Sequence, residues 1–293
     1  MTAARRMIAR ETAAREMAAR RMAARRMIAR LRSALASVAP QFIVLVVVIF
    51  VWWAAVRILD PKPFIFPSPG RVLDTTVNDF DRLWIGFKNT LYASVVGFLF
   101  ATAVGVGAAL FLSLSRMLER AFFPWAVLLQ TVPAVAVAPL YVLWWGPGRQ
   151  SVMLVAFTIT LFPILANSLA GLRSADAALV DLIRLRGRQR NSWFTFSKIR
   201  IPSSLPYLFT GLRISAGLAV IGAIVGEIVV GRGGDEAGLG YWVTFGSTQL
   251  RTDFVFAAIA VSSALGITFF LLVSAAGNRV LRHWHESARM ADT

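Results

Sequence analysis

The chain has 293 residues, of which 57% are hydrophobic and 16% charged, against roughly 45–50% and about 25% in soluble domains; the excess points to a polytopic membrane protein. The absence of cysteine excludes a disulfide framework, a thiolate metal site and a cysteine nucleophile. The formal charge of +16 sits in loops and tails around apolar runs, the positive-inside arrangement, so it calls for anionic membrane lipid as a neighbour and not for nucleic acid.

Residues 1–40 form an Arg-rich tail, with ten arginines before residue 33 against Glu11 and Glu16. A repeat of RMIAR, ETAAR, EMAAR, RMAAR and RMIAR runs through it. A period of five matches neither 3.6 nor 3.5, so the arginines occupy every face and an amphipathic surface helix is poorly supported. The tail reads as a cytoplasmic segment that fixes topology, and Met7, Met17, Met22 and Met27 are in-frame alternative starts. Arg5-Arg6 resembles a twin-arginine signal, but no small-x-small site closes the next apolar run, which therefore reads as an anchor.

That run, Phe42 to Leu59, is the first predicted span, uncharged up to Arg57. DPKPFIFPSPGRV follows, too proline-rich for continuous helix, and residues 71–87 suit an amphipathic helix at the outer surface. The second span is predicted over Asn89 to Leu114, with Gly97, Ala101 and Gly105 spaced for close helix packing. The third apolar run, Phe122 to Trp145, contains Pro124, Pro133 and Pro139, and its QTVP stretch is polar at membrane depth. It reads equally as a kinked packing helix and as the lining of a pathway. The fourth span runs from Ser151 to Leu172, with Pro163 and Asn167 inside it. The fifth covers Tyr207 to Val230, with small residues at Gly211, Ser215, Ala219, Gly222 and Gly226, and the sixth starts at Phe254 and reaches Val273 or beyond. Residues 282–293 are a short basic tail. The expected fold is therefore all-α, with about six transmembrane helices between residues 41 and 281.

Loop charge orients them. The N-terminal tail, the 115–121 turn, the 173–200 loop and the C-terminal tail are basic, whereas residues 60–87, 146–150 and 231–253 are near neutral or acidic. The two sets alternate across six spans, which puts both termini and the long loop on the cytoplasmic side.

No Ser/His/Asp set and no H-E-x-x-H motif appears, so no catalytic residue is assigned. His283 and His285 lack a third ligand, so no metal and no cofactor is expected. A P-loop needs G-K-[ST], and Lys62, Lys88 and Lys198 all lack a preceding glycine; ATP chemistry would have to come from another chain. Glu227 is the clear ionisable candidate inside a span, either a working residue or a solvated cap. With Gln130, Thr131, Pro133 and Asn167 it makes the candidate translocation pathway, a weakly polar one.

The stretch from Arg173 to Pro206 breaks the apolar pattern. Arg173, Arg184, Arg186, Arg188, Arg190, Lys198 and Arg200 face only Asp176 and Asp181. Ser174 or Asp176 can cap a helix ending near Gly187, and an aromatic piece (Trp193, Phe194, Phe196) is expected to end before Pro202. The loop reads as a docking device for a soluble partner.

Several segments together, LQTVPAVAVAPLYVLWWGPG, LFPILANSLAGLRSADAALVDL, IRIPSSLPYLFTGLRISAGLAVIGAIVGEIVVG and GLGYW, resemble the membrane permeases of bacterial ATP-binding-cassette importers. The nitrate, sulfonate and taurine group, with its riboflavin and thiamine-pyrimidine branches, is the most similar. The resemblance covers residues 42–280 and implies a type I importer permease fold, an ATPase subunit and an extracytoplasmic solute-binding protein as partners, and a pair of permeases, most simply a homodimer. In that family an E-A-A-x3-G loop followed by I-x-L-P docks on the ATPase. Here Asp181 holds the acidic position, Leu182 and Ile183 replace the alanines, Gly187 holds the glycine, and Ile199 to Pro202 holds the closing motif, with about two residues more between Gly187 and Pro202 than usual. Asp181, Arg184, Gly187, Ile199, Pro202 and Pro206 are the candidate coupling residues. The solute is expected to be a sulfonate-, taurine- or nitrate-like anion, on family frequency, or a vitamin precursor; an ion-coupled secondary carrier is the alternative. Since the chain lacks cysteine, a Ser192→Cys variant tests the topology: an impermeant thiol reagent outside intact cells should leave it unmodified, and labelling from outside refutes the six-span orientation.

Overall fold

The computed structural model describes residues 39–174 and 196–281, all helix, turn or irregular chain with no strand among them. The chain divides into two units at Pro61. The first contains α1, Ala39–Leu59, which exposes an almost unbroken apolar surface; such a helix is at home in lipid, where that surface costs nothing.

The second unit contains α2 (Pro69–Asn78), α3 (Phe80–Ser113), α4 (Arg116–Thr131), α5 (Ala134–Trp145), α6 (Arg149–Arg173), α7 (Ile201–Val230), α8 (Leu239–Thr248) and α9 (Thr252–Leu281). Its centre is α6, packed along most of its length against both α7 and α3. Between lipid-soluble helices there is little hydrophobic driving force, so close backbone approach carries the association. The residues supply it. A Cβ built on Gly97 of α3 would lie 2.8 Å from the Ala156 Cβ, and one on Gly222 of α7 would lie 2.8 Å from the Ala156 Cα. Ala156 of α6, itself fully buried, is thus held between two glycines. Gly105 lies against Ile164, and Gly226 against Val152 and Val155, in the same manner. Three apolar layers follow along α6: Val152, Val155 and Ala156 with Ala93 and Ala223; Ile164 with Phe98, Ala101, Ala216 and Ala219; and Leu169 and Leu172 with Ala109 and Leu112. One interhelical bond joins the pair directly, Ser215 Oγ donating to the Thr160 carbonyl at 3.1 Å.

The apolar run predicted as one third span is two helices, α4 and α5, bent by 96° at the break. The cause is Pro133: it has no N–H to donate and it drives the preceding Val132 out of the helical region, to φ −71° and ψ 122°. The bent pair still crosses from one side to the other. The first turn of α4 holds Glu119, which pairs with Arg173, the last residue of α6. The residue after α5, Gly146, accepts a 2.5 Å hydrogen bond from Ser151, near the start of α6. The pair therefore runs the length of α6, and with it five other helices are long and apolar enough to span among the described residues.

Two sequence boundaries shift. Residues 71–87 are not a separate surface helix: α2 ends at Asn78, Asp79 turns the chain (φ −102°, ψ 24°), and Phe80, Trp84 and Phe87 stack along the first turns of α3. Nothing breaks the helix after Phe80, so the solvent-side turns and the span are one element. α7 likewise begins at Ile201, six residues ahead of the predicted Tyr207, continuing directly from a π turn, and Pro202 and Pro206 are accommodated in its first turns. At the end where α8 and α9 meet, Asp79 joins Arg251 at 2.6 Å and Thr75 donates to Asp253 at 2.8 Å. The hydrogen bond to Asp79 raises the Arg251 pKa above its ordinary value, so that cation stays charged at cellular pH.

The glycine contacts make a direct test. Gly222→Val must push α7 off Ala156 and should lower stability by about 1–3 kcal/mol, as overpacking does. Gly217→Val, on the same helix with nothing within 4 Å of its added Cβ, should change the melting temperature of the purified protein little.

Candidate functional site

Glu227 stands in the last turns of α7 and is 4% exposed. Its Oε2 accepts from Thr90 Oγ1 of α3 at 2.9 Å and from the Gly240 backbone N–H of α8 at 2.9 Å. Thr90 Oγ1 in turn accepts from the Leu239 backbone N–H at 2.9 Å. A carboxylate this deep is tolerable because two donors meet it. It is not a solvated cap; it ties three helices together. The glycines of GLGYW let it do so. A Cβ on Gly238 would overlap the Glu227 carboxyl group, and one on Gly240 would overlap the Ile224 carbonyl. The backbone of residues 238–240 can reach the carboxylate only without side chains there.

The other expected pathway residues lie elsewhere. Gln130, Thr131 and Pro133 are exposed at the α4–α5 break, with Thr131 Oγ1 turned back onto the Leu128 carbonyl at 2.8 Å. Asn167 is half-buried on α6; its Nδ2 donates to the Pro163 carbonyl at 2.8 Å, and its Cβ packs where Gly211 of α7 leaves room. None of these hydrogen bonds joins one member of the set to another, and Glu227 is joined to residues outside it.

A cleft of about 330 Å³ opens beside the start of α6, lined by Tyr92, Trp145, Arg149, Arg232 and Glu236 among others. Arg149 donates to Asn89 Oδ1 at 3.0 Å, and Asn89 Nδ2 donates to the carbonyls of Asp235 and Ala237. An apolar recess of about 310 Å³, with Val96, Phe100 and Leu154, shares Trp145, Gln150 and Met153 with that cleft. A polar cleft and an apolar recess thus lie side by side, together offering a small molecule both kinds of contact.

Of the coupling residues, Asp181, Arg184 and Gly187 lie outside the described residues. Ile199 lies in a π turn, Phe196–Arg200, that continues into α7; Pro202 and Pro206 lie in the first turns of that helix. Phe196 packs on the layer formed by Leu169, Leu172, Ala109 and Leu112, which seats the returning chain on the bundle.

Sequence reasoning missed Arg213. It lies in α7, half-buried, and its Nη2 donates to Asn278 Oδ1 of α9 at 2.6 Å. Its Nε is buried with no partner, as is the Ser274 hydroxyl, one turn from Asn278 on α9. The signal was present, since a lone arginine inside an apolar run is rare and marks a site by default.

Removal of the Thr90 hydroxyl tests the node. Thr90→Val leaves the Leu239 N–H and one carboxylate bond unmade, at about 1–3 kcal/mol for buried groups; the melting temperature should fall, and Gly238→Ala should lower it as well. Unchanged stability in both would remove Glu227 from its structural role.

Comparison with known proteins adds the following. Residues 101–282 match the family described as binding-protein-dependent transport system inner membrane component. A formylaminopyrimidine transport permease protein of Halalkalibacterium halodurans is 33% identical over 256 residues, 87% of this chain and 98% of that one. A riboflavin transport system permease protein of Chloroflexus aurantiacus is 33% identical over 247 residues, 84% of this chain and 90% of that one. Among solved structures, the inward-facing MetNI methionine ABC transporter aligns with TM-score 0.56 at 18% identity, covering 70% of this chain and 96% of that chain, a likeness of fold.

Proposed function

The chain belongs to the binding-protein-dependent transport system inner membrane component family, the permease subunits of ABC importers, and we propose that it carries a heterocyclic vitamin precursor of the pyrimidine or flavin class across the inner membrane. The observation that carries the solute class is the pair of relatives named for formylaminopyrimidine and riboflavin, which align over 84–87% of the chain at 33% identity. Tyr92 and Trp145 of the cleft and Val96 and Phe100 of the adjoining recess offer faces on which a flat ring can stack. This reverses the sequence-based preference for an anion. The anion reading keeps in its favour the cationic Arg213 with its unpartnered Nε, the two arginines against one carboxylate in the cleft, and relatives of lower identity named for aliphatic sulfonates and taurine.

In this proposal the permease hydrolyses nothing. A separate ATPase subunit docks on the loop between α6 and α7, with Asp181, Arg184 and Gly187 on the loop and Ile199, Pro202 and Pro206 at its return. An extracytoplasmic binding protein delivers the solute to the side where α8 lies, two copies of the chain form the translocation unit, and both termini face the cytoplasm. Gln130, Thr131, Pro133 and Asn167 line the path, because the α4–α5 break leaves backbone carbonyls without helical partners at membrane depth. Glu227 acts on that path by holding α8 against α3 and α7.

Uptake in a strain deleted for this gene is the test. A labelled hydroxymethylpyrimidine or riboflavin should accumulate on complementation, and taurine or an alkanesulfonate should not; the reverse pattern selects the anion reading. Gly187→Val should abolish accumulation while the protein remains in the membrane. Accumulation that persists with an inactive ATPase and follows an ion gradient identifies a secondary carrier instead.

A further inference from the structure

A second cleft, of about 290 Å³, lies where the end of α3, the start of α4, the end of α6 and the π turn before α7 converge. Three arginines line it, Arg116, Arg173 and Arg200, together with Ser113 and Ser115. One carboxylate engages them: Glu119 pairs with Arg173. Arg116 and Arg200 have no carboxylate partner among the described residues. Three guanidiniums against one carboxylate leave two positive charges in a concave, polar space. Ser113 Oγ donates its proton to the Leu110 carbonyl, whereas Ser115 Oγ accepts from the Met117 N–H and keeps its own O–H to donate. The donors free to bind are therefore the guanidinium forks and the Ser115 hydroxyl, with the first turn of the 16-residue α4 opening beside them.

We propose that this cleft binds a phosphate group. Planar guanidinium forks match the oxygen pairs of a phosphate and bind it bidentately, and a helix N-terminal turn adds partial positive charge. A compact tetrahedral anion fits the space with room for water or a headgroup remainder, and it offsets the charge that the described residues leave unpaired.

Position allows two sources for that phosphate. α7 has 30 residues and is about 45 Å long at ~1.5 Å per residue, against about 30 Å of hydrocarbon. The clustering of Arg116, Arg173 and Arg200 where it starts marks that end as one that reaches past the apolar core to the level of lipid headgroups and water. The inner leaflet is rich in anionic lipid, which attracts basic clusters at this depth. An anionic headgroup and free phosphate share the same chemistry, and the cleft is accessible to both. A bound phosphate would clamp the C-terminal turn of α6 to the turn that starts α7, the two supports from which the 174–200 loop hangs. The phosphate site stands on the cleft alone and does not depend on the solute; the inner-leaflet source rests on the proposed orientation.

The test uses the full chain purified in a neutral detergent. Melting temperature is followed against inorganic phosphate, and separately against dihexanoyl phosphatidylglycerol, each with sodium chloride at matched ionic strength. The expected result is a saturable rise with at least one of them, its midpoint concentration increased roughly tenfold for each guanidinium lost in Arg116→Gln and Arg200→Gln. The paired Arg116→Lys and Arg200→Lys variants keep the charge and should retain part of the response, which separates loss of the site from loss of the fold. A response to phosphate assigns free anion; a response to the lipid alone assigns the headgroup. A rise no larger than chloride gives, or an equal rise in wild type and both Gln variants, overturns the proposal. So does protection by a hexaglutamate peptide alone, which would make the cleft a contact for an acidic protein.

Discussion

Everything in the second unit hangs on how closely α6 can be approached. Ala156 sits between Gly97 on one side and Gly222 on the other, with no room for a further methyl group at either glycine. In a bilayer the lipid tails solvate leucine and valine as well as a neighbouring helix does, so surface burial alone does not choose a partner. Contact dispersion and backbone proximity choose it, and both fall off steeply with distance. The three-helix stack α3–α6–α7 is the most extensively packed part of the second unit for this reason. The bent pair α4–α5 and the short α8 are attached to it by fewer and more polar contacts, such as Tyr141 with Thr158 at 2.6 Å.

That division makes sense for a permease. A conducting subunit needs one body that keeps its shape and other parts that change place around it. Polar residues occur on both kinds of element: Gln130 and Thr131 at the bend, and Asn89 of α3 and Arg149 of α6 beside the cleft. Within the stack, alanine, glycine and valine close the contacts around α6, and the buried Glu227 and Thr90 meet the backbone of α8.

How much of this could be read from the sequence depended on whether a feature was local. The spacing of Gly97, Ala101 and Gly105 announced a packing face, and the long apolar runs announced the spans, because both are properties of one segment. Pro133 was visible as a breaker, but its consequence, a 96° turn, depends on what α6 and α7 leave for α5 to pack on. Glu227 was visible as an unusual acid, and its role was not, because its donors come from Thr90, 137 residues away, and from Gly240, 13 residues on. GLGYW was recognisable as a motif, but the need for its glycines appears only when the carboxylate is seen to occupy the space of their side chains. Arg213 was overlooked because its partner Asn278 belongs to another helix, which left it as one more basic residue in a basic chain.

The Glu227 node also has a consequence for how the protein is made. Thr90 leaves the ribosome long before Glu227, and Gly240 leaves it after. While α7 is being inserted, its carboxylate can find only one of its two final donors, since the backbone amide that completes the set has not yet been synthesised. An acid in that condition favours the interface over the bilayer interior. α7 should therefore ride high in the membrane until α8 folds under it, and only then sink to its final register against α6. The order of synthesis and the order of burial are coupled at a single side chain, and biogenesis of the bundle waits on ten residues that never cross the membrane.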